Sequence, residues 1–235
     1  MSSELVKLTV KGFKTIRELN DFEPGPLTVL IGPNGAGKSN FVSFFRMLSW
    51  TLSEPGNLQV HVAEQGGASR LLYDGPSRTR EIEAEISIKT SAGVNDYAFR
   101  LIYAAGDTLL YAEEKCRYSS KEYDTVAPWR ELGGGHRESQ LLQRTTTGDR
   151  TAGVVLGLLR KLIVHQFHNT SSTARIRGKW SVDDNRYLKE DAANLAPVLK
   201  RLSEHERLAY SRIVDTIRLI LPFFADFVLE TEYEY

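Results

Sequence analysis

Hydrophobic and polar positions alternate most regularly in the middle of the chain. In Glu81-Ile82-Glu83-Ala84-Glu85-Ile86-Ser87-Ile88-Lys89 every second residue is apolar, which is the period of a strand with one wet and one packed face. Residues 96–101 and 108–118 continue in the same manner. The three runs predict an antiparallel meander. Near the N-terminus, Leu5, Val6, Leu8 and Val10 alternate less strictly, as in a half-buried strand. Pro24-Gly25-Pro26 then marks a turn. Leu27-Thr28-Val29-Leu30-Ile31 is a short continuous apolar run, and it predicts a strand buried on both faces.

The period then changes. Phe41, Phe44, Phe45, Leu48 and Leu52 recur every three or four residues and predict one face of a helix. Beyond residue 120 a polar, glycine-rich stretch gives way to helical patterning. Residues 154–162 read as a helix leading into a strand at 162–167. Asn194 reads as an N-cap with Pro197 in the first turn, and Ser203-Glu204-His205-Glu206 has capping-box spacing. Tyr210, Ile213, Val214, Ile217 and Ile220 mark a last helix face, ended by Pro222.

Composition narrows the class. The 235 residues are 41% hydrophobic and 26% charged, with a formal net charge of +0. These are the proportions of a globular chain with a real core. Neutrality argues against wholesale coating of nucleic acid or membrane and leaves room for a local basic patch. Cys116 is the one cysteine, so no disulfide framework can form within the chain. The first residues lack a secretory pattern, and residues 213–229 are too polar for a spanning helix. The expected location is cytoplasmic.

The chemistry is concentrated in Gly32-Pro33-Asn34-Gly35-Ala36-Gly37-Lys38-Ser39. This fits the P-loop pattern at every fixed position. Its glycines permit a backbone with φ > 0, so that successive N–H groups point inward as an anion nest. The following helix adds the positive end of its dipole. Lys38 is expected to reach the β- and γ-phosphates and Ser39 to ligate magnesium. The implied ligands are ATP and Mg.

The flanks carry a resemblance. Gly12-Phe13-Lys14-Thr15-Ile16, followed by the P-loop and Asn40, resembles the start of SMC/RecF-like ATPases with the ABC-type head. Gly66-Gly67, Leu71-Leu72-Tyr73-Asp74-Gly75, Asp184-Asn185-Arg186-Tyr187-Leu188, Asp191 and Asn194-Leu195-Ala196 resemble stand-alone bacterial AAA-family ATPases related to the OLD family. The resemblance implies an α/β P-loop NTPase head with an N-terminal antiparallel sheet and an inserted helical lobe. The patterning along the chain divides it into a P-loop core at 1–54, a meander at 55–120 and a mostly helical lobe at 121–235, expected to be one head domain whose C-terminal part is missing. The P-loop and the resemblance imply nucleotide contacts from Asn34, Gly35, Ala36, Gly37, Lys38, Ser39 and Asn40, and the resemblance has Lys14 approaching the nucleotide. His168 would stand where a γ-phosphate-sensing Gln is common, with Gln166 two residues earlier. It also implies a homodimer through the nucleotide face, with DNA, an effector protein or a C-terminal effector domain as partner, in DNA repair or phage defence.

Two motifs of such heads are not recognisable. Leu132-Gly133-Gly134-Gly135-His136-Arg137 has Gly where a signature Ser belongs and reads better as a flexible loop. Residues 219–226 end an apolar run on Asp226, as a Walker B strand does, but Pro222 would break that strand. The catalytic residues are therefore unassigned, and hydrolysis by this chain alone is expected to be slow or absent. Two other readings stand beside this one: a nucleotide-binding switch that never hydrolyses, and a P-loop kinase, which the early antiparallel strands disfavour. Arg175-Ile176-Arg177-Gly178-Lys179-Trp180 fits contact with a nucleic-acid backbone, although short basic runs are more often solvated faces.

Overall fold

The alternating runs form a single antiparallel sheet in the computed structural model, which describes residues 3–122, 125–165, 167, 171 and 173–230. The strands are β1 (Ser3–Phe13), β2 (Ile16–Phe22), β3 (Glu81–Thr90), β4 (Gly93–Ala104), β5 (Thr108–Ser120) and β6 (Arg130–Gly133). Their order is β2-β1-β3-β4-β5-β6, and every neighbour is antiparallel. Register follows the hydrophobic pattern. Ile86 opposes Leu8 and Tyr97, and Tyr97 opposes Cys116, so one face carries a continuous buried row. The other face carries cross-strand charge pairs such as Arg100 with Glu81 at 3.0 Å and Arg117 with Asp96 at 2.6 Å.

Four helices belong to the same unit, which spans Met1–Ile163. They are α1 (Lys38–Thr51), α2 (Asn57–Glu64), α3 (Gln140–Thr146) and α4 (Arg150–Leu159). The phenylalanines at helical spacing fix α1. Phe44 packs edge-on against Phe13 with ring centroids 5.6 Å apart, and Phe41 does so against Phe22 at 5.7 Å. Arg160, just past α4, donates to the carbonyls of Leu52 (2.8 Å) and Ser53 (2.5 Å), satisfying oxygens that the end of α1 leaves over. Glu138 accepts from the Leu58 and Gln59 N–H groups and does the same for the start of α2.

The second unit, Val164–Tyr235, holds α5 (Leu195–His205) and α6 (Arg207–Ile220). Asn194 is its hub. It occupies the N-cap position of α5 without capping it. Its side chain instead accepts from the Lys189 N–H and donates to the Asp184 and Tyr187 carbonyls.

The sequence reading needs correction at four places. Residues 27–31 form no strand and are not buried: Leu27 is 84% exposed and Ile31 89%. An apolar run becomes a central strand only when a ladder partner lies on each side, and the six strands do not include one for it. The strand expected at 162–167 is likewise absent at its described positions. Residues 57–64, within the stretch assigned to the meander, form α2. Ser203 lies inside α5 and donates to the Lys200 carbonyl, so the capping-box spacing is coincidental; Glu206 precedes α6.

Candidate functional site

The loop before α1 has the backbone that its glycines permit. Gly35 and Gly37 sit at φ 86° and 90°, in the left-handed region that side chains disfavour. Gly37 has a second reason to be glycine. A Cβ added there would lie 2.8 Å from Thr15 Oγ1. The helix opens at Lys38, and the Phe41 N–H donates to the Gly37 carbonyl at 3.0 Å. The loop therefore presents its orphan N–H groups at a helix N-terminus.

Two side chains of the loop, Lys38 and Ser39, have the chemistry that a phosphate and its metal ion would use. The Lys38 ammonium donates to the carbonyls of Gly32 at 2.7 Å and Pro33 at 2.8 Å. It is folded back on its own loop, a charge held by neutral acceptors that an anion would displace. The Ser39 side chain is exposed and makes no hydrogen bond among the described residues. A hydroxyl at that position, free and next to an anion nest, fits a magnesium ligand.

The turn between β1 and β2 leans on this loop. The Asn40 amide donates to Thr15 Oγ1 at 3.0 Å. Lys14, the preceding residue, is itself left-handed at φ 48°. Its backbone N–H donates to the Leu71 carbonyl (2.8 Å), and its ammonium donates to Gln65 Oε1 (3.0 Å). Burial, and then the charge of Arg46, push the Lys14 ammonium below its ordinary pKa. His61 is 5% exposed and packs edge-on against Trp50. Burial, followed by the charges of Lys14 and Arg46, lowers its pKa to about 4. The neighbourhood thus holds like charges that repel one another, and an incoming anion relieves that repulsion.

The structure joins two of the stretches that carried the resemblance. Phe13 pairs with Leu72, and the Tyr73 N–H donates to the Gly12 carbonyl. Gln65, Arg46 and His61 were not singled out from the sequence as site residues, and Thr15 was noted only within the stretch from Gly12 to Ile16. The signal available was Gly66-Gly67, directly after Gln65. His168 and Gln166 lie outside the described residues.

The remaining candidates have structural employment. Gly134 lies against β5, where a Cβ would come within 2.3 Å of the Ala112 carbonyl oxygen, and the Gly135 N–H donates to Tyr111. This holds the Gly133 to Gly135 stretch on the sheet. Asp226 follows a turn rather than ending a strand, and its carboxylate accepts from the Tyr210 hydroxyl and the Phe227 N–H. Arg175 pairs with Asp191 at 3.2 Å. It also lies over Trp180, as Lys189 does, at 4.9 and 4.0 Å from the ring centroid. Among the described residues, no group of three or more acidic, His or Cys side chains could hold a metal ion, and no helix is long and apolar enough to cross a membrane.

A family model described as "AAA domain, putative AbiEii toxin, Type IV TA system" matches residues 27–230. Shorter stretches match proteins named "Chromosome partition protein Smc". The match to the protein of Mycolicibacterium paratuberculosis is 46% identical over 54 residues, 22% of this chain and 4% of that protein. The match to the protein of Rhodopseudomonas palustris is 40% identical over 63 residues, 26% of this chain and 5% of that protein. The chain therefore spans only a small part of the length of these relatives.

Proposed function

The chain belongs to the AAA domain family whose model spans its residues 27–230, and from that premise we propose that it binds ATP with magnesium at the loop from Gly32 to Ser39. The observation that carries the proposal is Lys38, held on the carbonyls of Gly32 and Pro33 at the mouth of an N–H-lined loop. On binding, Lys38 exchanges those carbonyls for the β- and γ-phosphates. The N–H groups of residues 34–40 cradle the phosphates, and the Ser39 hydroxyl is the chain's own ligand for magnesium, which neutralises phosphate charge. Lys14 adds a cation whose pKa is lowered by burial and by Arg46, so a nearby anion would favour its charged form.

Hydrolysis requires a group that orients water. Asp226 lacks the Walker B setting, since it ends no strand and is engaged by Tyr210. We therefore assign turnover to a composite site, completed by further head structure and by a second copy across the nucleotide face. The exposed apolar run at 27–31 supports this reading. Leu27, Val29 and Ile31 are 84%, 69% and 89% exposed, and such a run beside a P-loop suits the first strand of a parallel sheet whose neighbours come from elsewhere. Nucleotide state would then couple to dimerisation and to DNA or a partner effector. The second reading, a binding switch without hydrolysis, is favoured by the same engagement of Asp226.

Isothermal titration of ATP with magnesium into the chain and into Lys38→Ala tests the assignment, with turnover measured on the same samples. Binding that is lost in Lys38→Ala, without turnover, is the expected result. No binding by the intact chain would overturn the assignment, and robust turnover would overturn the composite site.

A further inference from the structure

Away from the P-loop, a cavity of about 640 Å³ opens between α4 and the end of the sheet's buried face. The volume is that of a ligand or peptide site. Asn95 and Tyr118 are paired across β4 and β5 and line its floor. Its rim is an exposed stripe of α4 and the turn after it, Arg150, Val154, Gly157 and Lys161.

Three observations select an occupant. First, the lining contains Arg150 and Lys161 and no carboxylate, and neither cation has an ion pair or side-chain hydrogen bond among the described residues. In a chain of formal net charge +0, two unpaired cations around one apolar cavity call for an acidic occupant. Second, Asn95 is 4% exposed, and its buried Oδ1 accepts no hydrogen bond. A buried acceptor left unmet is costly, and a rotation of the amide that turns Oδ1 toward the cavity would let a donor on the occupant meet it. Third, a Cβ added at Gly157 would meet nothing within 4 Å, so a backbone can come close to the helix there.

We propose that this cavity is a docking site for an extended, acidic peptide segment of a partner protein. Lipid acyl chains and phosphodiester backbones carry no N–H for Asn95, whereas a peptide carries one at almost every residue. The cations are eleven positions apart on a helical path, about 16 Å at 1.5 Å per residue. An extended chain covers that distance in about five residues. The segment therefore has acidic residues about five positions apart, with apolar residues between them against Val154 and Tyr118.

The site is separate from the nucleotide loop, so the test needs no nucleotide. A random peptide display library is selected on the full chain, and a synthetic copy of an enriched peptide is titrated by fluorescence polarisation. The titration is repeated on Gly157→Leu, which fills the groove while improving helix propensity, and on Arg150→Glu/Lys161→Glu. The expected result is enrichment of the acidic spacing, with affinity about tenfold weaker in each variant and the melting temperature not lowered in Gly157→Leu. Enrichment without acidic residues, or equal binding to the variants, overturns the proposal. So does retention of duplex DNA or phosphatidylserine vesicles that is lost on charge reversal but kept in Gly157→Leu, because that marks a general basic face.

Discussion

Single residues in this protein answer to two constraints at once, and Gly37 is the clearest case. Its φ of 90° disfavours any side chain by about 1–2 kcal/mol, and Thr15 Oγ1 closes the space that a Cβ would take. Gly37→Ala should lower stability and weaken nucleotide binding together. Thr15→Ala alone also removes the Asn40 hydrogen bond, so the steric share is read as the coupling in a double-mutant cycle of the two substitutions by chemical denaturation, and what remains of the Gly37→Ala loss is the conformational share. His61 gives a prediction in pH. The folded chain keeps it neutral down to about pH 4, whereas the unfolded chain protonates it near 6.5. Between these values the unfolded state binds more protons, so stability rises with pH. The penalty is absent above pH 6.5 and grows as pH falls toward 4, a difference on the order of 3 kcal/mol. His61→Phe keeps the ring beside Trp50, and its melting temperature should depend less on pH across that window than that of the parent chain. Equal slopes in the two would show that His61 is not held neutral.

Elements are fixed by buried polar groups as much as by apolar faces. Glu114 is 0% exposed on β5. Its carboxylate accepts from the Tyr97 hydroxyl (2.7 Å), the Gln140 N–H (2.7 Å) and the Ser139 hydroxyl, which anchors the start of α3 to the sheet. Glu114→Leu leaves three donors unmet and should cost about 3 kcal/mol or more. Glu114→Gln, which keeps acceptor oxygen, should cost less; equal losses in urea melts would count against the anchor. The sequence showed β3, β4 and β5 because alternation is a local signal that needs only one packed face. Glu114 breaks that alternation with a charge on the buried side, and nothing nearby in sequence announces Ser139 as its partner. The same limit hid α2, whose start is capped by Glu138 from 80 residues away. Residues 27–31 show the converse. Their pattern states that they are to be buried but not against what. The P-loop was legible because its chemistry is written in consecutive residues; the contact of Thr15 with Gly37 and Asn40 was not, because it comes from the turn between β1 and β2, nor was that of Gln65 with Lys14, which comes from the end of α2.

At the scale of the whole chain the two units differ in kind. Among the described residues the continuous apolar core lies within the first unit, from Leu8 on β1 to Leu159 on α4. Of its described hydrophobic residues the second unit buries Ala174, Ala192, Ala193, Val198, Leu199 and Val214, mostly small side chains. It leaves Leu208, Leu219, Ile220 and Phe223 between 77% and 84% exposed. Burial at about 25 cal/mol per Å² of apolar surface is the main offset to chain entropy, so so small a core gives α6 little protection of its own. Native-state hydrogen exchange on the intact chain should therefore show amides of β3, β4 and β5 opening only with global unfolding, and amides of α6 exchanging through low-energy local openings. A partner that covers the exposed face of α6 would raise its protection toward that of the sheet. Protection of α6 equal to that of β4 in the isolated chain would mean that its apolar residues are already covered in solution, and by contacts other than those described.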